Sequence, residues 1–186
     1  MSSPITPIIL TFNEAPNIAR TLGQLTWAGR VVVVDSFSTD ETEAICRRFP
    51  QVEFVQRKFT SFADQCNFGL TLVRTLWVLS LDADYVLTDE LVAELRALKP
   101  EDACAGFSAR FTYCIGGRPL RARCIRRGWC CIARPGRGIA MKATGTVWKS
   151  PARRVRCAGG FCTMTGNPWT AGLASNSSTR RRKPAI

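Results

Sequence analysis

Asp82-Ala83-Asp84 presents two carboxylates one residue apart, directly after the apolar run Trp77 to Leu81. Paired carboxylates past a buried strand offer the hard oxygen ligands that suit Mg²⁺ or Mn²⁺. Two further polar clusters follow apolar runs in the same way: Asn13-Glu14 after Ile5 to Leu10, and Asp35 to Asp40 after Val31 to Val34. Three acidic clusters facing one crevice would repel one another unless a cation or a donor-rich ligand sat among them. The chain has no histidine, which removes His-based triads, His general bases and His-ligated metals together. Neither Gly-x-Gly-x-x-Gly nor Gly-x-x-x-x-Gly-Lys-Ser/Thr occurs, which argues against a Rossmann dehydrogenase or a P-loop NTPase. Without such a loop, a diphosphate ligand would need a metal to offset its charge.

The elements that must position these residues can be read from periodicity. Val31 to Val34 is an uninterrupted β-branched run, as expected of a strand buried on both faces. Ile5 to Leu10, Val52 to Val55 and Trp77 to Leu81 read as further strands. Between them lie amphipathic segments. Pro16 suits a first helical turn, and Ile18, Leu22 and Leu25 then recur at helical spacing. Ala44, Ile45 and Phe49 are expected inward on a second helix. Ser61 to Asp64 resembles a capping box, ahead of a face made by Phe62, Cys66, Leu70 and Val73. Thr88 caps a last helix, with Asp89 and Glu90 in its first turn. Four strand–helix units in succession predict an α/β fold with a doubly wound parallel sheet, whose ligands bind beyond the carboxyl ends of the strands. Each polar cluster has a plainer reading as well. Asp35 or Asp40 could only cap a helix, Asn13 could stabilise a turn, and Asp82/Asp84 could be a solvated loop. Cys46 and Cys66 fall on apolar faces and read as core.

Composition divides the 186 residues in two. Residues 1–120 carry 11 Lys and Arg against all 14 acids, a net of −3, whereas residues 121–186 carry 15 basic residues and no acid. Seven of the nine cysteines lie beyond Ala103. No stretch is long and apolar enough for a transmembrane helix, and the first residues lack the pattern of a signal peptide. A cytoplasmic setting is therefore expected, with a peripheral contact at the inner face of an anionic membrane.

Four segments resemble glycosyltransferase family 2 enzymes of the GT-A fold. They are Thr11-Phe12-Asn13-Glu14 with Asn17-Ile18, Val33 to Asp40, Phe59 through Gln65 to Leu70, and Leu79 to Tyr85. They occur in the family's order, and the similarity covers about residues 5–120. It is nearest to the bacterial subgroup that adds glucose to the inner core of lipopolysaccharide or lipooligosaccharide. The resemblance implies a UDP-sugar donor and inverting, metal-dependent transfer to a lipid-linked or lipopolysaccharide-core acceptor, with no specific nucleic acid partner. It implies that Asp35 recognises the uracil or ribose, and that Thr11 and Glu14 line the nucleotide pocket. Asn67, with Gln65, falls near the donor. Asp82 and Asp84 form the DxD pair that holds Mg²⁺ or Mn²⁺, and Arg57 reaches a phosphate.

Past about Arg121 the resemblance stops. No carboxylate side chain follows Asp102, so the family's catalytic base has no candidate and the catalytic residue is left unassigned. Single apolar residues are scattered without a period of 2 or 3.6. The expectation is a nucleotide-sugar-binding half-domain over residues 1–120, truncated relative to the family. A basic, irregular tail over residues 121–186 would follow, of the composition that out-of-frame translation of a GC-rich gene produces. The chain would then transfer sugar poorly, or serve as a noncatalytic nucleotide-sugar-binding fragment. A basic arm for anionic partners is the alternative use of the tail. A zinc module is disfavoured by the absence of Cys-x-x-Cys and histidine, and a disulfide framework by the cytosolic setting.

Overall fold

The computed structural model describes residues 3–97, 104–115, 118–119, 132–133, 139–142, 145–148 and 153–164. Its first four strands are β1 (Ile5–Thr11), β2 (Val31–Asp35), β3 (Val52–Gln56) and β4 (Trp77–Asp82), all within a residue or so of the apolar runs. They lie in the order β3-β2-β1-β4, and every pairing among them is parallel. The crossovers are α1 (Ala15–Gly23), α2 (Thr42–Cys46) and α3 (Phe62–Thr71). A short strand β5 (Tyr85–Leu87) and helix α4 (Asp89–Ala97) follow.

Side-chain alternation along β1 explains the layering. Ile5 and Ile9 join Val31, Val33, Leu79 and Leu81 in one apolar cluster with Ile18 and Leu22 of α1, Cys46 of α2 and Leu91 and Leu95 of α4. Ile8 and Leu10 join Val32, Val34 and Val78 in a second cluster, against Cys66 of α3. The sheet is therefore covered on both faces, as a continuous apolar strand requires. Helix α3 lies close on β1 because residue 69 is glycine: a Cβ there would stand 2.9 Å from Ile8 Cγ2.

Two helix faces differ from the periodic reading. Ala44 is exposed, and α2 buries Thr42 and Cys46 instead, because Thr42 is drawn inward by polar bonds described below. Phe62 is 44% exposed, because α3 begins there and its first residue overhangs the sheet. The caps hold: Ser61 Oγ accepts the Asp64 N–H at 3.1 Å, and Thr88 Oγ1 that of Leu91 at 3.3 Å.

The chain beyond residue 103 completes the sheet. Strands β6 (Cys104–Ile115), β7 (Arg118–Pro119), β8 (Ile132–Ala133), β9 (Ile139–Lys142), β10 (Gly145–Trp148) and β11 (Arg153–Met164) follow. The order continues from β4 as β8-β6-β11-β5, with β7 on β6 and β9–β10 a separate antiparallel pair. The region that carries no sequence period thus supplies β8 to β11; its remaining residues lie outside those described. Phe107 of β6 packs on Trp77 of β4, ring centroids 5.4 Å apart. Cys114 is disulfide-bonded, which the sequence reading did not expect. Cys46 and Cys66 are free and buried, as expected of core residues. Among the described residues no helix is long and apolar enough to cross a membrane.

Candidate functional site

The polar clusters converge beyond the carboxyl ends of β1, β2 and β4. The loop after β1 turns at Asn13, whose φ of 55° lies in the left-handed region that asparagine tolerates. The loop after β2 turns at Phe37 with a φ of 60°, an uncommon conformation for a bulky residue. The two loops are laced together by side-chain to main-chain bonds. Asn13 N–H donates to Ser38 Oγ at 2.8 Å, and Thr39 N–H donates to Asn13 Oδ1 at 2.8 Å. Glu14, at the N-cap of α1, makes no capping bond with its own side chain. The exposed amides are met from the other loop: Glu14 N–H donates to Thr42 Oγ1 at 2.8 Å and Ala15 N–H to Asp40 Oδ2 at 3.0 Å. Burial works against the Asp40 charge, yet bonds from Thr42 and from main-chain N–H groups hold its carboxyl below the usual range.

Asp35 lies beneath this lacing and is fully buried. Its Oδ1 accepts from Thr11 Oγ1 at 2.9 Å and Ser38 Oγ at 2.5 Å, and its Oδ2 from Ser38 N–H at 2.8 Å. Thr11 is equally buried. The structure brings these two residues together as the floor under the loops, with no surface of their own in the crevice.

Glu14, Asp82 and Asp84 form the acidic centre. Burial, together with the charges of Asp82 and Asp40, raises the Glu14 pKa, and a bond from Asn17 to its Oε2 at 2.9 Å opposes this. Burial raises Asp82, offset in part by a side-chain bond with Tyr85. Burial, then the charges of Asp82 and Glu14, push Asp84 up to about 7, with Arg20 opposing. Glu14 Oε1 and Asp84 Oδ1 are buried oxygens without a hydrogen-bond partner among the described residues. Unpartnered carboxylate oxygens facing each other's charge fit a divalent cation. No group of three metal-ligating side chains encloses an ion among the described residues, so a cation held by Asp82 and Asp84 would draw further ligands from a diphosphate and water.

Asn67 lies half-buried on α3, on the far side of the sheet from α1. Its neighbour Gln65 links the site to that helix, donating to Ser36 Oγ at 3.0 Å and to the Arg57 carbonyl at 3.1 Å. The Arg57 guanidinium is already engaged: it donates to Asp64 Oδ2 at 2.8 Å and lies 4.5 Å from the Phe68 ring centroid. Sequence reasoning named Ser38 and Thr39 only within the cluster Asp35 to Asp40, and passed over Thr42 and Thr21. Ser38 and Thr39 are small hydroxyl residues in a turn beside Asp, where such side chains commonly bond main-chain groups, but nothing local marks which distant amides they and Thr42 meet, and Thr21, inside α1, carries no such signal.

The model of the glycosyl transferase family 2 matches residues 6–164. An uncharacterized glycosyltransferase of Rickettsia bellii (strain RML369-C) is 33% identical over 96 residues, which are 51% of this chain and 32% of that protein. A lipopolysaccharide core biosynthesis glycosyltransferase, LpsC of Rhizobium meliloti (strain 1021), is 29% identical over 123 residues, 61% of this chain and 44% of that protein. The chain thus spans about a third of the length of the Rickettsia relative and under half that of LpsC. Among solved structures, S. aureus TarS 1-349 in complex with UDP-GlcNAc superposes with a TM-score of 0.68 at 17% identity, over 90% of this chain and 59% of that one. With the family's model running from β1 through β11 over a sheet of GT-A type, the chain belongs to glycosyl transferase family 2.

Proposed function

We propose that the chain binds a UDP-sugar at the carboxyl ends of β1, β2 and β4, with Mg²⁺ or Mn²⁺ held by Asp82 and Asp84. The observation that carries this reading is the pair of buried carboxylate oxygens on Glu14 and Asp84 that lack a hydrogen-bond partner among the described residues, on side chains whose charges act on each other. A divalent ion bound there would neutralise the diphosphate and act on the leaving group as a Lewis acid. The chain's own residues do the rest. The laced loops hold Asn13 and Ser38 at the nucleotide side, and the buried Thr11–Asp35 pair fixes their floor. The sugar then lies toward β6 and β11, where the acceptor hydroxyl approaches the anomeric carbon opposite the nucleotide. The complex of TarS with UDP-GlcNAc and the naming of LpsC support a UDP-sugar donor and a lipopolysaccharide-core acceptor, the donor sugar read as glucose.

Transfer by this chain is slow in the same reading. Inversion needs a base at the acceptor hydroxyl, and residues 103–186 contain no Asp, Glu or His. The abrupt loss of acids motivates an out-of-frame origin for the region beyond residue 121, against which stands the family match that runs on to residue 164; translating the gene in its other two frames past that codon tests it. Calorimetry with UDP-glucose and UDP-GlcNAc, with and without Mn²⁺, tests the site. Binding that strengthens with Mn²⁺ is expected, and indifference to both nucleotides at every ion concentration would overturn the reading.

A further inference from the structure

We infer that α1 sets the position of Asp84 through two side chains, Thr21 in its last turn and Gln24 at its C-cap. They act as positioning residues for the ion and diphosphate site; the inference rests on the function proposed above. Asp84 sits in a turn between β4 and β5, and β5 is the last strand of its sheet, paired with β11 on one side only. Such a turn has few main-chain partners of its own. Helix α1 supplies them. Thr21, fully buried, places its hydroxyl 2.6 Å from the Ala83 carbonyl and 3.0 Å from that of Tyr85, the two residues flanking Asp84. The Gln24 carboxamide makes a reciprocal pair with Leu87: its Nε2 donates to the Leu87 carbonyl at 3.0 Å, and its Oε1 accepts the Leu87 N–H at 2.9 Å. This is the bonding a neighbouring strand would give the open side of β5.

The helix that carries these side chains is itself fixed at its other end. Asp40 and Thr42 hold the amides of Ala15 and Glu14, and Glu14, whose charge acts on Asp84, keeps Oε1 buried without a hydrogen-bond partner among the described residues. One rod of two and a half turns therefore joins the laced loops of β1 and β2 to the turn that carries Asp84. The separation of Glu14 from Asp84 is set by α1, not by the sheet alone. Groups that orient metal ligands from behind typically change affinity by about 10- to 100-fold when removed.

The test uses the full chain with Thr21→Val, Thr21→Ser and Gln24→Leu. Mn²⁺ binding is measured in the presence of UDP, per folded molecule, alongside amide hydrogen exchange over residues 84–87. Thr21→Val is expected to weaken Mn²⁺ about tenfold while UDP binding without metal changes less than about twofold. Thr21→Ser, which keeps the hydroxyl, restores the metal affinity. Gln24→Leu, at a partly exposed position, gives the same direction if the valine variant does not fold. Exchange at 84–87 is expected to quicken in the valine and leucine variants while β1 and β2 stay protected. Unchanged Mn²⁺ affinity and unchanged local exchange in both variants would overturn the inference. A parent chain that ignores Mn²⁺ and UDP would overturn the proposed function instead, and exchange at 84–87 would still decide whether α1 holds the turn.

Discussion

Residues 5–97 and residues 104–164 contribute to one sheet by different means. The first region builds four parallel strands in unbroken register, the last three each reached by a local crossover helix. The second inserts strands between β4 and β5. β8 is a two-residue strand, and β11 pairs with β6 through register shifts at Arg153/Arg154 and Arg156/Gly160. Every acidic side chain but Glu101 and Asp102 lies in the first region, and none in the second. The difference is one of chemistry as well as build: the carboxylates after β1, β2 and β4 all belong to the first region, and the described strands of the second extend the sheet on which those loops stand.

The sharpest test of that division is a pair of core truncations. Ile9, fully buried at the centre of β1, packs with side chains of α1, α2 and α4. Ile9→Ala should cost about 4 kcal/mol by chemical denaturation. Phe107→Ala removes the ring that covers Trp77 from the second region and should cost about 3 kcal/mol. Both should shift one unfolding transition. Two transitions, with only the second moved by Phe107→Ala, would show that the regions unfold separately.

Next in size is the conflict between ligand and stability at Asp84. Asp84→Asn should weaken Mn²⁺-dependent UDP binding about a hundredfold, roughly 2.7 kcal/mol. Above pH 7, where Asp84 is ionised, the same variant should raise the melting temperature of the metal-free protein, because it removes a buried charge that lacks a partner among the described residues. A metal-free variant less stable than its parent would mean that Asp84 is structural.

Titration sharpens the same point. Asp84 holds its proton to about 7 when folded, against an ordinary 3.8, with burial the main cause, and Glu14 and Asp82 are raised in the same direction. The folded chain therefore binds more protons than the unfolded one between those values. Stability of the metal-free protein should fall as pH rises from about 4 to about 7 and level off above, by about 4 kcal/mol from Asp84. Asp84→Asn should flatten much of that slope. Denaturant midpoints at pH 4.5, 6 and 8 measure it.

How much of this was legible in the sequence follows from the length over which each signal repeats. Strand β2 carries an uninterrupted apolar run, Val31 to Val34, and β1 and β4 are apolar but for Thr6, Thr11, Ser80 and Asp82, so all three stood out at once. Asp82, Asp84 and Glu14 were visible because each follows an apolar run, though the same position also suits a cap or a solvated loop. β5 was missed because three residues, Tyr85–Leu87, carry no period, and its place depends on pairing with β11 far along the chain. The roles of Ser38, Thr42, Thr21 and Gln24 were equally hidden. A hydroxyl or amide bonded to a main chain 25 to 64 residues away leaves no local pattern.

The smallest effects come from the two left-handed residues, which should respond in opposite directions to the same change. Phe37 has a φ of 60° and leaves 53% of its surface exposed. A Cβ in that region costs about 1–2 kcal/mol, which glycine avoids at about 0.5–1 kcal/mol of extra chain entropy. Phe37→Gly should therefore stabilise the protein by about 0.5 kcal/mol, little burial being lost. Asn13 has a similar φ of 55°, but its Oδ1 accepts the Thr39 N–H at 2.8 Å and so ties the two loops together. Asparagine also tolerates this region better than phenylalanine. Asn13→Gly should destabilise by about 1 kcal/mol, the net value of that bond. Thermal melts of both variants at one pH decide the matter: equal signs would mean that backbone strain, not the lacing of the loops, governs this end of the sheet.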